Sequence, residues 1–372
     1  MSNEIQIKSR IFGLDVLRSI AILSVVFSHG YYWLGLKNPL LLSISGLFGF
    51  IGVEIFFVLS GFLIGTILLK NFIKDEFTFS DVKIFLKRRW FRTLPNYFLV
   101  LLLNFGIALS FGFSLQNTWK YFFFFQNFSS NGITFFSESW SLSVEEWTYI
   151  FAAICFFISA KVLKSNKKKG FLLITILVIC FVHFLRWMKF QLAPIYDLTI
   201  WNTDIKAIVI YRIDSIFYGF FVAWIAYFYS HLLKKYSFYL IIIAAYLFLF
   251  QFVVLNVLGV TIVTKPVFYH VFYFTLTSVT IALSLPFFIQ WNSTAFFVKP
   301  ITYISKISYS IYLLHYSIIG FLFKFVVDTY QIKLAAVYLI IIYLLITFLM
   351  SHVLYSFYEK PLTNLRDKTN SN

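Results

Sequence analysis

Long apolar stretches alternate with short, polar and mostly basic ones along nearly the whole chain. A helix that crosses a bilayer needs about 20 consecutive apolar residues, because each residue advances only ~1.5 Å through a hydrocarbon layer ~30 Å thick. On that criterion the pattern predicts ten spans, near 12–34, 48–69, 93–114, 140–160, 171–187, 205–229, 238–258, 267–290, 307–327 and 335–357. The expected fold class is all-α, a polytopic membrane protein of about ten transmembrane helices. No Gly/Ser or Pro-rich linker and no repeat period divides the sequence, so residues 1–372 are expected to form a single membrane-embedded domain. The long first apolar run has no small-residue cleavage site, so it reads as a retained span rather than a removed signal peptide.

The connecting segments orient these spans. With the N-terminus in the cytoplasm, the segments on that side (the N-terminus, 70–92, 161–170, 230–237, 291–306 and the tail) hold 21 of the 31 Lys and Arg residues. Cationic loops stay on the cytoplasmic side, so both termini are expected there. Composition agrees: 60% of residues are hydrophobic and 12% charged, too few charges to cover a soluble domain of this size. The net charge of +16 does not imply nucleic acid, because the basic residues lie between apolar runs and not on one water-facing surface. Membrane lipids are the expected surroundings. Cys155 and Cys180 sit in apolar segments without metal-ligand spacing, so neither a disulfide framework nor a metal site is expected.

Polar residues inside the spans are the candidates for chemistry, since each is costly in hydrocarbon. Arg18 and His29 are eleven positions apart in the first span, a turn of about 1100° and a rise of about 16.5 Å, so they share one helix face. A cation at the inner boundary below a titratable base suits a long ligand with a charged tail and a reactive head. In "GFIGVEIFFVLSGFLIG" (49–65), Glu54 reads either as a structural ion pair or as a catalytic or acceptor-binding acid, and Gly52, Gly61 and Gly65 allow close helix approach.

In "KIFLKRRWFRTLPNYF" (83–98), Arg88, Arg89 and Arg92 lie on the cytoplasmic side. Arg89 and Arg92 are one turn apart and can offer two guanidinium forks to phosphate oxygens. In "SESWSLSVEEWTYI" (137–150), Glu145 and Glu146 point about 100° apart, so at most one faces a given site. Ser139 or Ser141 reads as a helix cap, and Glu138 as an interfacial charge. In "ISYSIYLLHYS" (307–317), His315 reads as packing or as a partner to a catalytic group, with Ser308 and Tyr312 near its face. Arg212 and Asp214 are two apart and face different ways, so each is expected to find a partner elsewhere. The aromatic outer stretch 115–139 reads as an interfacial belt or as a platform on which sugar rings stack.

Taken in order, Arg18 through His29, "GVEIFFVLSGFLI", "RRWFRTLPNY", "WSLSVEEWTY", "ISYSIYLLH" and "YEKP" (358–361) resemble the membrane acyltransferase-3 family, bacterial enzymes that O-acetylate surface polysaccharide and lipopolysaccharide. The motifs span most of the chain. The resemblance implies acetyl-CoA as acyl donor, bound from the cytoplasm by Arg18, Arg88, Arg89 and Arg92. It also implies transfer to a hydroxyl of a polysaccharide or lipid-linked glycan, such as lipopolysaccharide O-antigen, with His29, Glu145 and Glu54 as catalytic candidates. Ser139, Glu146 and His315 are then candidates for substrate binding or support. A bacterial inner membrane is the implied location. Trp147 departs from the polar residue expected there. The short tail LTNLRDKTNSN implies action without the extracytoplasmic domain that some members add. A longer acyl group, another acceptor (peptidoglycan or a small molecule), a polar-substrate transporter and a non-catalytic scaffold stay open as alternatives.

Overall fold

The computed structural model describes residues 10–35, 38–162 and 166–368. The polar N-terminal stretch ahead of the first span, two short segments carrying Lys37 and Lys164, and the last residues of the tail lie outside them. Among the described residues there is no strand. The principal helices are α1 (Phe12–Gly30), α2 (Pro39–Phe72), α3 (Phe79–Phe111), α4 (Ser139–Val162), α5 (Lys167–Leu192), α6 (Ile213–Phe228), α7 (Ser230–Leu249), α8 (Tyr273–Gln290), α9 (Val298–Leu314) and α10 (Ala336–Leu354).

Nine helices among the described residues are long and apolar enough to cross a membrane, and α6 is too short to count by length alone. Its 16 residues reach only about 24 Å. The rest of the expected sixth span is a π turn at Asn202–Lys206 and a 3-10 turn at Val209–Tyr211. This irregular backbone is paired with the outer loop: Val209 N donates to Asn127 O (3.0 Å), Ile210 N to Phe128 O (3.2 Å), and Asn127 Nδ2 to Ala207 O (2.5 Å). Non-helical backbone at membrane depth is tolerated where protein covers it in this way. The chain ends decide the count. Arg10, just before α1, and Glu359 and Lys360, beyond α10, line one cavity, so both ends lie on the same face of the bundle. Nine crossings would separate them, and α6 supplies the tenth.

Two helices start earlier than the hydropathy pattern predicts. Asn38 Oδ1 accepts from Leu40 N and Leu41 N, with Pro39 in the first turn, so α2 begins well before 48. A reciprocal Thr78–Asp81 capping box starts α3 at Phe79 and not at 93. The stretch 79–92 is too charged to register as apolar, but the cap makes it helical, which fixes the spacing of Arg89 and Arg92.

The core forms where α2 and α6 touch backbone to backbone. A Cβ at Gly61 would stand 1.9 Å from Ile216 O, and one at Gly219 2.2 Å from Val58 O, so any side chain there would drive the helices apart. Beside this contact, Phe156, Phe171, Phe217 and Phe220 form a stack joining α4, α5 and α6, with Phe156 and Phe171 centroids 4.3 Å apart.

Candidate active site

Three cavities follow one another between α1, α2, α3, α4 and α9. The first opens at the face shared by the chain ends and is lined by Arg10, Asp15, Arg18, Arg92, Ser305 and Glu359, with a volume of about 440 Å³. It shares Arg18, Leu63 and Arg92 with a narrower inner chamber, lined also by Ser60, Arg89, Glu145, Ser141, Ser308 and Tyr312. Arg18 is held by Ser305 Oγ (3.4 Å) and Asp15 Oδ1 (4.0 Å). Arg89 donates to Tyr149 OH (2.6 Å), lies 4.5 Å from that ring's centroid and stands 3.5 Å from Glu145 Oε2. Three guanidinium groups thus surround a route leading inward from the chain-end face, an arrangement that suits phosphate.

The third cavity, about 490 Å³, lies toward the other face and is lined by Ser28, His29, Asn104, Thr134, Ser137, Tyr316, Ser317 and several aromatic side chains. Volumes of ~300–1,000 Å³ are usual for small-molecule sites. Along α1, Arg18 faces the inner cavities and His29 the outer one, as their shared stripe predicts.

His29 stacks on Tyr316, with ring centroids 4.2 Å apart, and its Nδ1 is 2.8 Å from Nε2 of the fully buried His315. The network assigns the protons. His315 Nδ1 is 2.8 Å from the Tyr312 carbonyl, which can only accept, so that nitrogen carries the hydrogen. Neutral His315 then accepts at Nε2, His29 donates from Nδ1, and His29 Nε2 is left with the lone pair. This is the geometry of an oriented general base or nucleophile. His315 occupies the first position of a π turn, His315–Gly320, the kind of helix irregularity that is frequent at functional sites.

A family model described as an acyltransferase domain matches residues 11–356. The chain belongs to the membrane acyltransferase-3 family. Among relatives of this chain is a Staphylococcus aureus (strain COL) protein named "Putative O-acetyltransferase", 28% identical over 94% of this chain and 56% of the relative. The O-acetyltransferase OatA of S. aureus (strain NCTC 8325 / PS 47) is 26% identical over 94% of this chain and 57% of its own length. A Bacillus subtilis (strain 168) protein, "Putative peptidoglycan O-acetyltransferase YrhL", is 33% identical over 45% of this chain and 27% of its own. The chain spans just over half the length of the first two relatives. No solved structure matches it significantly.

The acyltransferase fold brings some sequence candidates together and separates others. Arg18, Arg89, Arg92 and Glu145 line the inner chamber, and His29 meets His315. Arg88 is exposed and lines neither chamber. Glu146 turns away from Glu145, as the ~100° step requires, and accepts from Thr93 Oγ1 (2.9 Å). Ser139 is buried against the outer loop, donating to Phe136 O (2.6 Å) and accepting from Gln126 Nε2 (3.2 Å). Glu54, a catalytic candidate from sequence, reaches neither chamber. Its carboxylate is paired with Arg212, and Asp214 is paired with Arg186 (2.6 Å), so Arg212 and Asp214 each have a separate partner.

Sequence reasoning missed the burial of Glu138, which it read as an interfacial charge. Just outside α4, Glu138 accepts from Ser317 N (3.1 Å) and Ser317 Oγ (2.7 Å), and burial pushes its pKa up to about 7. Its polar neighbour three residues on, Ser141, was the available signal. Glu359 of "YEKP" ties the third and ninth helices together by accepting from Asn96 Nδ2 (2.8 Å) and Ser310 Oγ (2.5 Å). No group of three or more His, Cys, Asp or Glu among the described residues could hold a metal ion.

Proposed function

We propose that this chain is an O-acetyltransferase of a bacterial cytoplasmic membrane, taking acetyl groups from cytosolic acetyl-CoA and placing them on a hydroxyl of a cell-envelope glycan at the outer face. The observation that carries this is the alignment of an arginine-lined route from the chain-end face with an oriented histidine pair beside an outer cavity. In this mechanism Arg18, Arg89 and Arg92 hold the nucleotide phosphates. The ~16.5 Å rise from Arg18 to His29 is of the order of a pantetheine arm.

His29 Nε2 takes the proton of the acceptor hydroxyl as its oxygen attacks the thioester carbonyl. A C–O bond forms, the C–S bond breaks, and the proton passes on to the departing thiolate. His315 accepts from His29 Nδ1 throughout and steadies the imidazolium. The aromatic outer cavity offers faces on which a sugar ring can stack.

The acceptor has two readings. Surface polysaccharide, including lipopolysaccharide O-antigen, follows from the motifs. Peptidoglycan is favoured by the name of the B. subtilis relative. Mass spectrometry of envelope glycans from a deletion strain, complemented with wild type or with His29→Ala at equal membrane levels, tests both. Acetyl groups restored by wild type alone are expected, and the fraction that carries them identifies the acceptor. Equal acetylation by the two proteins would remove His29 from the mechanism.

A further inference from the structure

The inner chamber shares Arg18, Leu63 and Arg92 with the cavity at the chain-end face, but it shares no lining residue with the outer chamber. On its lining, the inner chamber therefore adjoins the chain-end cavity and not the outer one. The Tyr312 ring lines the end of the inner chamber, its hydroxyl is bonded to Ser141 Oγ and donates to the Glu138 carbonyl (3.1 Å), and its ring centroid is 5.7 Å from that of His315. With the Tyr312 hydrogen spent on that carbonyl, Ser141 Oγ is the donor between the two hydroxyls. One tyrosine, latched at its hydroxyl, thus both lines the arginine-lined chamber and packs against the buried histidine of the pair.

We infer that Tyr312, latched by Ser141 and Glu138, is the residue that makes this enzyme choose an acceptor hydroxyl over water. The inference rests on the acetyl-transfer reading above. The need for such a residue is chemical. Water and a sugar hydroxyl attack the same thioester carbon, and either attack forms a C–O bond, breaks the C–S bond and leaves the proton on the thiolate. Attack by water yields acetate and wastes the donor. A histidine that can deprotonate a sugar hydroxyl can also deprotonate water, and exposed Thr134, Ser137 and Lys324 line the outer chamber. Selectivity therefore requires that the thioester and outer water not meet until the acceptor is seated. A phenol held at its hydroxyl closes the route in the resting state and opens by rotation once the latch is broken.

The test uses the full-length protein in liposomes with acetyl-CoA, with and without a soluble N-acetylglucosamine oligosaccharide. Free CoA reports total turnover and mass spectrometry reports acetylated sugar. Tyr312→Phe keeps the ring and loses both hydroxyl contacts, and Ser141→Ala removes one of the two and leaves the bond to the Glu138 carbonyl. Both are expected to raise the ratio of hydrolysis to transfer severalfold. Loss of folded protein lowers the two rates together and leaves their ratio unmoved, so a merely structural role does not produce this result. Should Tyr312→Phe fail to accumulate, Ser141→Ala reads the same latch. Wild type that transfers acetyl groups while both variants keep its ratio would overturn the partition alone. Wild type that consumes no acetyl-CoA with any glycan would overturn the acetyl-transfer reading and the partition with it.

Discussion

Two buried polar clusters lie within this bundle and have opposite designs. In the lateral one, between α2, α5, α6 and α8, every charge has a close partner. Arg186 donates to both carboxylate oxygens of Asp214 (2.6 and 3.2 Å), while Arg212 is paired with Glu54, bonded to Ser215 Oγ (2.9 Å) and covered by the Phe274 ring at 3.6 Å. None of these four charged residues borders a chamber of the candidate site. In the central cluster the pairs made by the chamber arginines are longer, Arg18 to Asp15 at 4.0 Å and Arg89 to Glu145 at 3.5 Å, although Asp15 is also paired closely with Arg10 (2.5 Å), and the residues line cavities. Intramembrane charge is costly in both places. In the lateral cluster each charge is paired with an opposite charge inside the protein, although Glu54 Oε2, Arg186 Nε and Arg212 Nε and Nη1 have no hydrogen-bond partner, so the charges hold helices together. In the central cluster part of the compensation is left to whatever enters, so those charges are available for binding.

The largest expected effect is on the lateral cluster. Glu54→Ala strands Arg212 in apolar surroundings and should lower stability by about 3–5 kcal/mol, seen as loss of folded protein in detergent, with Arg212→Met in the same chain restoring it. A stable Glu54→Ala protein without transferase activity would instead put Glu54 in the chemistry and erase the contrast. Next is His315→Ala, which frees the His29 tautomer. It should cut kcat by roughly 10–100-fold and leave the KM for acetyl-CoA unchanged. A change confined to KM would make His315 a binding residue.

Arg92→Ala should raise the KM for acetyl-CoA by about tenfold, the loss of one charge-assisted contact, while exposed Arg88→Ala should change it little. Equal effects would mean that the chamber does not select among the arginines. The smallest effect is at Glu138. Its pKa is higher folded than unfolded, so the folded state binds this proton more tightly, and stability falls as pH rises from the usual carboxylate range to about 7. Glu138→Gln should flatten that part of the stability profile, measured as Tm between pH 5 and pH 8. An unchanged slope would assign it to other groups.

The ten-span pattern and the Arg18–His29 stripe were legible because they depend on local regularities, apolar run length and the 100° helical step. The Arg89–Arg92 pair was legible for the same reason. The start of α3 was hidden, since a capping box and not hydropathy decides it. The roles of Glu54 and Glu138 were hidden too. Each is a lone acid beside an apolar run, and nothing local says whether its partner will be an arginine 158 positions away or a backbone amide 179 positions away.

By itself, then, the sequence determined that the chain is helical and membrane-embedded, which side its basic loops prefer, and which polar residues share a helix face. Only the tertiary structure decided which buried charges neutralise one another and which border a cavity. It alone set His29 against His315, 286 positions away, and the Tyr312 hydroxyl against Ser141 and the Glu138 carbonyl. The reason is physical: helix formation and membrane insertion are governed by neighbours within a few turns, whereas compensation of a buried charge depends on whichever helix packs opposite, and that is settled only when the bundle closes.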